Sequence, residues 1–205
     1  NADKGADVVQ RLRAETGNPA IHFFKADLSR LDDVRAVSDE IGSVFPTLDV
    51  LLNNAGAMFM GRQLSEDGFE MTFALNHLSV FLLTNLLLDK LKASDSARVV
   101  TVASVAHRGS DLDFSDLDGQ NGRYSGWRAY QRSKLANILF TRELSRRLQG
   151  SGVTATCLHP GFVASRFGEN NGLALSLLFK AGKVFAISPE KGAETSVFLA
   201  TSDDV

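Results

Sequence analysis

Tyr130 and Lys134 stand four residues apart in a stretch of helical periodicity, so their side chains share one helix face. A free phenol titrates near about 10, too high for ready proton transfer near neutrality. A neighbouring ammonium favours the phenolate and lowers that value. Tyr-x-x-x-Lys is therefore an acid/base pair suited to interconverting a carbonyl and an alcohol. Alone the spacing is common by chance, and an exposed helix pair produces it equally well. Ser104 adds weight, because it closes an apolar, β-rich run where a hydroxyl can hold a carbonyl oxygen beside Tyr130. Asn76 is a fourth polar group, set among apolar residues of a long helical stretch. A buried amide there needs partners, and a structural hydrogen bond to a neighbouring strand is the plainer explanation for it.

The elements that must position these residues alternate along the chain. Ile21–Lys25, Leu48–Leu52, Ala97–Val102 and Val153–Leu158 read as strands. Near-continuous apolar strands imply burial on both faces, as in a parallel sheet. Asp3–Glu15, Leu31–Phe45, Phe69–Lys92 and Trp127–Leu148 read as helices, the third apolar enough to be buried. The alternation predicts an α/β doubly wound parallel sheet in one domain, 1–205. Ligands in such sheets sit at the carboxyl ends of the strands. Those ends are Asp27-Leu28-Ser29, Asn53-Asn54-Ala55-Gly56, Ala103-Ser104 and His159-Pro160-Gly161. Each cluster is small or polar, which lets a cofactor approach the backbone. The stretch Arg108–Gly126 reads as a long loop.

Composition narrows the function. The 205 residues are 44% hydrophobic and 22% charged, with a net charge of −2. No basic field exists to gather nucleic acid. The four histidines (His22, His77, His107, His159) lack metal-ligand spacing, so no metal site is expected. Cys157 is the one cysteine, which fits a reducing, cytoplasmic setting and a core role rather than a nucleophilic one. No apolar run reaches the roughly 18 residues of a membrane span. Trp127, Tyr124 and Phe114 are candidates to wall an apolar pocket. Phe162–Phe185 is rich in Phe and Leu and favours a small hydrophobic alcohol or carbonyl substrate, the rival reading being a membrane-touching or subunit-facing helix. No G-x-G-x-x-G or G-x-x-x-x-G-K turn occurs.

Taken together, the chain resembles the short-chain dehydrogenase/reductase family. The resemblance is carried by Asp27-Leu28, Asn53-Asn54-Ala55-Gly56, Asn76, Ser104, Tyr130-Gln131-Arg132-Ser133-Lys134 and Pro160-Gly161, in the family's order. It implies hydride transfer between a nicotinamide cofactor and a carbonyl or alcohol carbon, with Tyr130 as acid/base. Lys134 lowers the tyrosine's pKa and holds the nicotinamide ribose. Ser104 orients the substrate oxygen, and Asn76 supports a water relay. Asp27 and Leu28 face the adenine. Asn54, Ala55 and Gly56 line the cofactor. Pro160, Gly161 and Val163 lie by the nicotinamide, with Ser165 where many relatives have threonine. Phe162–Phe185 would form a substrate lid, and the helices at Phe69 and Trp127 would be faces of a homo-oligomer. Asn76–Thr84, Ser133–Asn137 and the insert from Ala106-His107 to Phe114–Leu117 resemble the retinol dehydrogenase-like branch, which includes WW-domain oxidoreductase. That branch favours NADP(H) over NAD(H). Aligned by motif, the family's first two strands, its Gly-rich turn and its last strand are absent. The implied fold is a Rossmann sheet lacking those strands, with weak dinucleotide binding by these residues alone. A non-catalytic nucleotide-sensing or interaction domain, or a truncated inactive fragment, is the rival reading, and an epimerase or dehydratase relative a third.

Overall fold

The computed structural model describes residues 2–165, 167, 171 and 186–205. Three parallel strands form its centre: β1 (Val50–Asn53), β2 (Ala97–Val102) and β3 (Val153–Leu158), in the order β1-β2-β3. Val50 lies opposite Arg98, and Ala97 opposite Val153. The short run at residues 48–52 thus pairs two residues later than its apolar content predicts.

Four of the helices carry end residues suited to their polarity. Helix α1 (Ala2–Thr16) and α2 (Leu31–Val44) open on acidic residues, which complement the helix dipole. The long α6 (Gly126–Arg147) starts at Ser125, whose hydroxyl accepts from Arg128 N, and ends on Arg146 and Arg147. Helix α7 (Pro189–Thr201) is capped by Ser188 with Pro189 in its first turn. The expected single helix at residues 69–92 is instead four pieces. These are α3 (Met71–Phe73), a π-turn (Ala74–Leu78), α4 (Ser79–Leu86) and α5 (Leu88–Lys92). Ser79 N bonds five residues back to Ala74 O, and the Ser79 hydroxyl takes the Leu75 carbonyl at 2.6 Å. Apolar periodicity does not register the one-residue bulge, because every residue stays helical.

The core lies between the sheet and α5 and α6. Leu91, Ala97, Val99, Leu144, Leu148, Val153 and Ala155 pack there. Helix α7 packs against β2 on the side to which Leu52 and Val102 point. On that side Val50 and Leu52 of β1 stay 39% and 44% exposed.

Residues 21–25 do not form the expected strand. The segment is extended, but no strand among the described residues lies beside it. Its alternation serves other neighbours. The Phe23 ring fills the space a side chain on Gly5 of α1 would take. On the opposite side, His22 and Phe24 pack edge-on to Phe45, with centroids 5.4 Å and 6.4 Å away. Arg13 donates to Ile21 O at 2.7 Å.

Candidate active site

Ser104 ends β2's run in extended conformation and opens a 3-10 turn, Val105–His107. Ala106 N donates to its hydroxyl oxygen at 3.2 Å, which leaves the hydroxyl proton for a partner in front. His107 Nδ1 reaches Ser104 O at 2.6 Å. That acceptor is a carbonyl, so Nδ1 carries the proton. The turn behind Ser104 is thereby locked.

Tyr130 and Lys134 rise from α6 beside it. They are 8% and 4% exposed. The Ser104 side chain stands close enough to the Tyr130 phenol to pull its pKa down. Lys134 Nζ donates to Val102 O at 2.8 Å and lies 5.8 Å from the Tyr130 ring centre. Burial pushes the Tyr130 phenol up, against a smaller downward pull from Ser104. Burial likewise holds the Lys134 ammonium down to about 8. The expected lowering of Tyr130 by Lys134 is therefore reversed. In a closed, low-dielectric pocket desolvation drives both groups toward neutrality, and the ammonium's hydrogen bond goes to the backbone.

A cleft of about 1200 Å³ opens in front of these groups. Asn54, Gly56, Ser104, Tyr130, Lys134, Pro160, Gly161, Val163 and Ser165 all lie on its wall. The three strand ends of the sheet thus converge as a ligand site requires. Ala55 is exposed at the β1 end but off the wall. Asp27 and Leu28 stand away from it too. Asp27 accepts from Ser29 N and Ser29 Oγ, at 3.0 and 2.7 Å, in the turn that leads to α2. Asn76 is fully buried behind the cleft. Its amide bonds both ways to Ala57, from Ala57 N at 2.9 Å and to Ala57 O at 2.9 Å. So Asn76 has the structural partner its burial demands, but in the loop after β1 rather than in a strand.

Gly56 sits where a side chain would press on Asn76 Oδ1 and Lys134 Nζ, 3.2 and 3.5 Å from its Cβ position. Its absence of a side chain keeps the cleft floor open at the ammonium. Trp127 and Phe167 flank the Tyr130 ring at 6.0 and 5.2 Å. Tyr124 turns instead to Glu70, donating at 2.9 Å, and Phe114 points outward, 80% exposed. Of the expected lid, residues 166, 168–170 and 172–185 lie outside the described residues. Sequence reading missed α7, whose Pro189, Gly192, Ala193 and Ser196 line the cleft. Its signal was Ser188-Pro189-Glu190, a cap followed by proline and an acid. Met58 and Phe59 also line the cleft, and no motif marks them.

Parallel strands, helices on both faces and a Ser-Tyr-Lys cluster at the strand ends define a Rossmann-type α/β domain built around a nucleotide-sized cleft. The comparisons fix the class further. Residues 1–174 match the model of the short chain dehydrogenase family, and the chain belongs to that family. It is 44% identical over 199 residues to human (Homo sapiens) retinol dehydrogenase 13, covering 95% of this chain and 60% of that protein. It is 45% identical over 202 residues to mouse (Mus musculus) retinol dehydrogenase 12, covering 98% and 63%. The chain thus spans about three fifths of the length of these relatives. A Mycobacterium paratuberculosis protein of solved structure matches at 37% identity and TM-score 0.71, over 95% of this chain and 63% of that one. A short chain dehydrogenase from Escherichia coli CFT073, solved with NADPH, shares the fold at TM-score 0.74 and 23% identity, over 100% and 78%. Among the described residues no helix is long and apolar enough to cross a membrane, and no cluster of His, Cys, Asp or Glu could hold a metal.

Proposed function

We propose that this chain carries the catalytic groups of an NAD(P)-dependent oxidoreductase that interconverts a carbonyl and an alcohol on a small apolar substrate. The observation that carries the reading is Ser104 set beside the Tyr130 phenol with Lys134 buried next to them, on the wall of the cleft. The cofactor, when bound, supplies or accepts hydride at the substrate carbon. Tyr130, held protonated by burial, gives its proton to the carbonyl oxygen in the reducing direction. Ser104 donates a hydrogen bond to the same oxygen, its own oxygen steadied by Ala106 N. Asn54, Gly56, Pro160, Gly161, Val163 and Ser165 line the cleft and would hold the nicotinamide half, with Lys134 as the donor that would reach its ribose. Ala55, Asp27 and Leu28 carry their cofactor roles on resemblance alone. Asn76 acts from behind the wall. Trp127, Phe162 and Phe167 make the cleft mouth apolar, which supports a hydrophobic substrate. NADP(H) is favoured over NAD(H) by likeness to the retinol dehydrogenases.

The test is a panel of apolar aldehydes and ketones with NADPH and NADH, run on the protein and on Tyr130→Phe. Turnover should fall by roughly 10²–10⁴-fold in the variant, the usual share of acid/base catalysis, with NADPH affinity kept. Undiminished turnover in Tyr130→Phe rejects the assignment.

A further inference from the structure

Behind the cleft lies a buried chain of side chains in which Asn137 and His77 have no part in the proposed chemistry. Asn137, on α6, is 1% exposed and faces the π-turn. Its Nδ2 donates to Asn76 O at 2.9 Å. Because that acceptor is a carbonyl, the amide orientation is fixed, and Asn137 Oδ1 must point to the other neighbour. That neighbour is His77 Nδ1, at 2.9 Å. An amide oxygen can only accept, so His77 Nδ1 carries a proton. Burial lowers the His77 pKa, and the ring is neutral with its proton on Nδ1. Phe73 and Phe140 hold it in place, with centroids 5.1 and 6.3 Å away.

From Asn76 the chain runs on in two directions. One is the two-way bond to Ala57, in the loop that follows β1. The other goes from Asn76 Nδ2 to Ser133 Oγ at 3.0 Å, and from Ser133 Oγ to Tyr130 O at 2.8 Å. The loop carrying Asn54 and Gly56 and the turn of α6 carrying Tyr130 therefore share one anchor.

We infer that Asn137 is a positioning residue, which with His77 behind it holds the Asn76 π-turn against the Asn54–Ala57 loop and so sets the cofactor-facing floor of the cleft. A π-turn is a rare local choice, and a carbonyl tied from outside the helix stabilises it. The amide of Asn137 does this from a position that touches neither cleft nor substrate. Its relevance to catalysis rests on the dehydrogenase reading; its mechanical role does not.

Amide exchange at Ala57, followed by NMR, reads the anchor directly, because Ala57 N donates to Asn76 Oδ1. Ala106 N, held by Ser104 Oγ across the cleft, is the internal control. In Asn137→Ala, Ala57 protection should fall at least about tenfold while Ala106 protection holds, and NADPH binding should weaken by a similar factor. Asn137→Asp keeps the shape and the acceptor for His77 but removes the donor; it should behave alike, and it replaces the alanine variant should that one not fold. His77→Gln retains a donor toward Asn137 and should keep Ala57 protected. Unchanged Ala57 exchange in the Asn137 variants overturns the inference, as does an equal loss at Ala57 and Ala106. Loss at Ala57 alone, in a protein whose turnover survives Tyr130→Phe, upholds the anchor and defeats the dehydrogenase reading instead.

Discussion

The two flanks of this molecule are built in different ways. Around α6 and the π-turn, buried polar side chains are held by partners: Asn76, Ser133, Asn137 and Thr141 are at most 3% exposed, and all four are bonded. In residues 2–30, α1 buries only Gly5, and the extended segment at 21–25 relies on ring contacts. The first flank resembles a machined part, in which a satisfied polar network fixes one arrangement. The second is held by a few apolar contacts and short turns. Catalytic precision requires the first kind of construction, and the Ser104, Tyr130 and Lys134 cluster is found there.

The largest effect expected on this contrast is at Lys134. Lys134→Met removes the proposed ribose donor and should cut turnover by roughly 10²-fold or more. It should also alter the pH dependence of stability. The folded pKa of about 8 lies below the ordinary 10.5, so the unfolded chain binds more protons between those values. Stability of the unmutated protein should therefore rise with pH through that window, by about 2 kcal/mol between pH 7.5 and 9.5. Urea denaturation at the two pH values, with Lys134→Met as baseline, measures it. Parallel behaviour of the two proteins shows that Lys134 is not a buried cation, and the contrast between the flanks loses its sharpest member.

Next in size is a matched pair of truncations. Val99 is fully buried in β2, and Val99→Ala should cost about 2 kcal/mol from two lost methyl groups and the void they leave. Val8, on α1, is 43% exposed, and Val8→Ala should stay within about 0.5 kcal/mol. Equal costs, measured by denaturant midpoint, would mean that α1 is as firmly docked as the sheet.

The same contrast explains what could be read from residues alone. Tyr130, Lys134 and Ser104 were legible because each depends on local geometry: a helix spacing and the end of an apolar run. The outer helices were legible through periodicity and caps. Ile21–Lys25 was misread because its alternation is real, yet strand formation needs a neighbour that local pattern cannot supply. The π-turn at Ala74–Leu78 was invisible because it adds a residue without changing the helical character of any. The direction of the Tyr130 shift was misjudged for a related reason. The benefit of a nearby ammonium is a pairwise matter, while the burial that outweighs it belongs to the whole fold.

The smallest effect expected is at Asp27, and it tests the border between the flanks. Resemblance puts Asp27 at the adenine, whereas its carboxylate is engaged with Ser29 in the turn before α2. The bonds to Ser29 hold its pKa below the ordinary value of 3.8. A depressed acid stabilises the fold above its unfolded pKa, and that contribution is lost as pH falls through the lower, folded value. Most of this carboxylate is in solvent, so the contribution is small. Asp27→Asn keeps an acceptor for Ser29. It should leave the melting temperature at pH 7 almost unchanged, flatten the acid limb below about pH 4, and shift NADPH affinity less than twofold. A tenfold weaker NADPH complex with an unchanged melting temperature would move Asp27 from the turn to the cofactor. The loosely held flank would then be part of the working site, and burial alone would no longer separate the two.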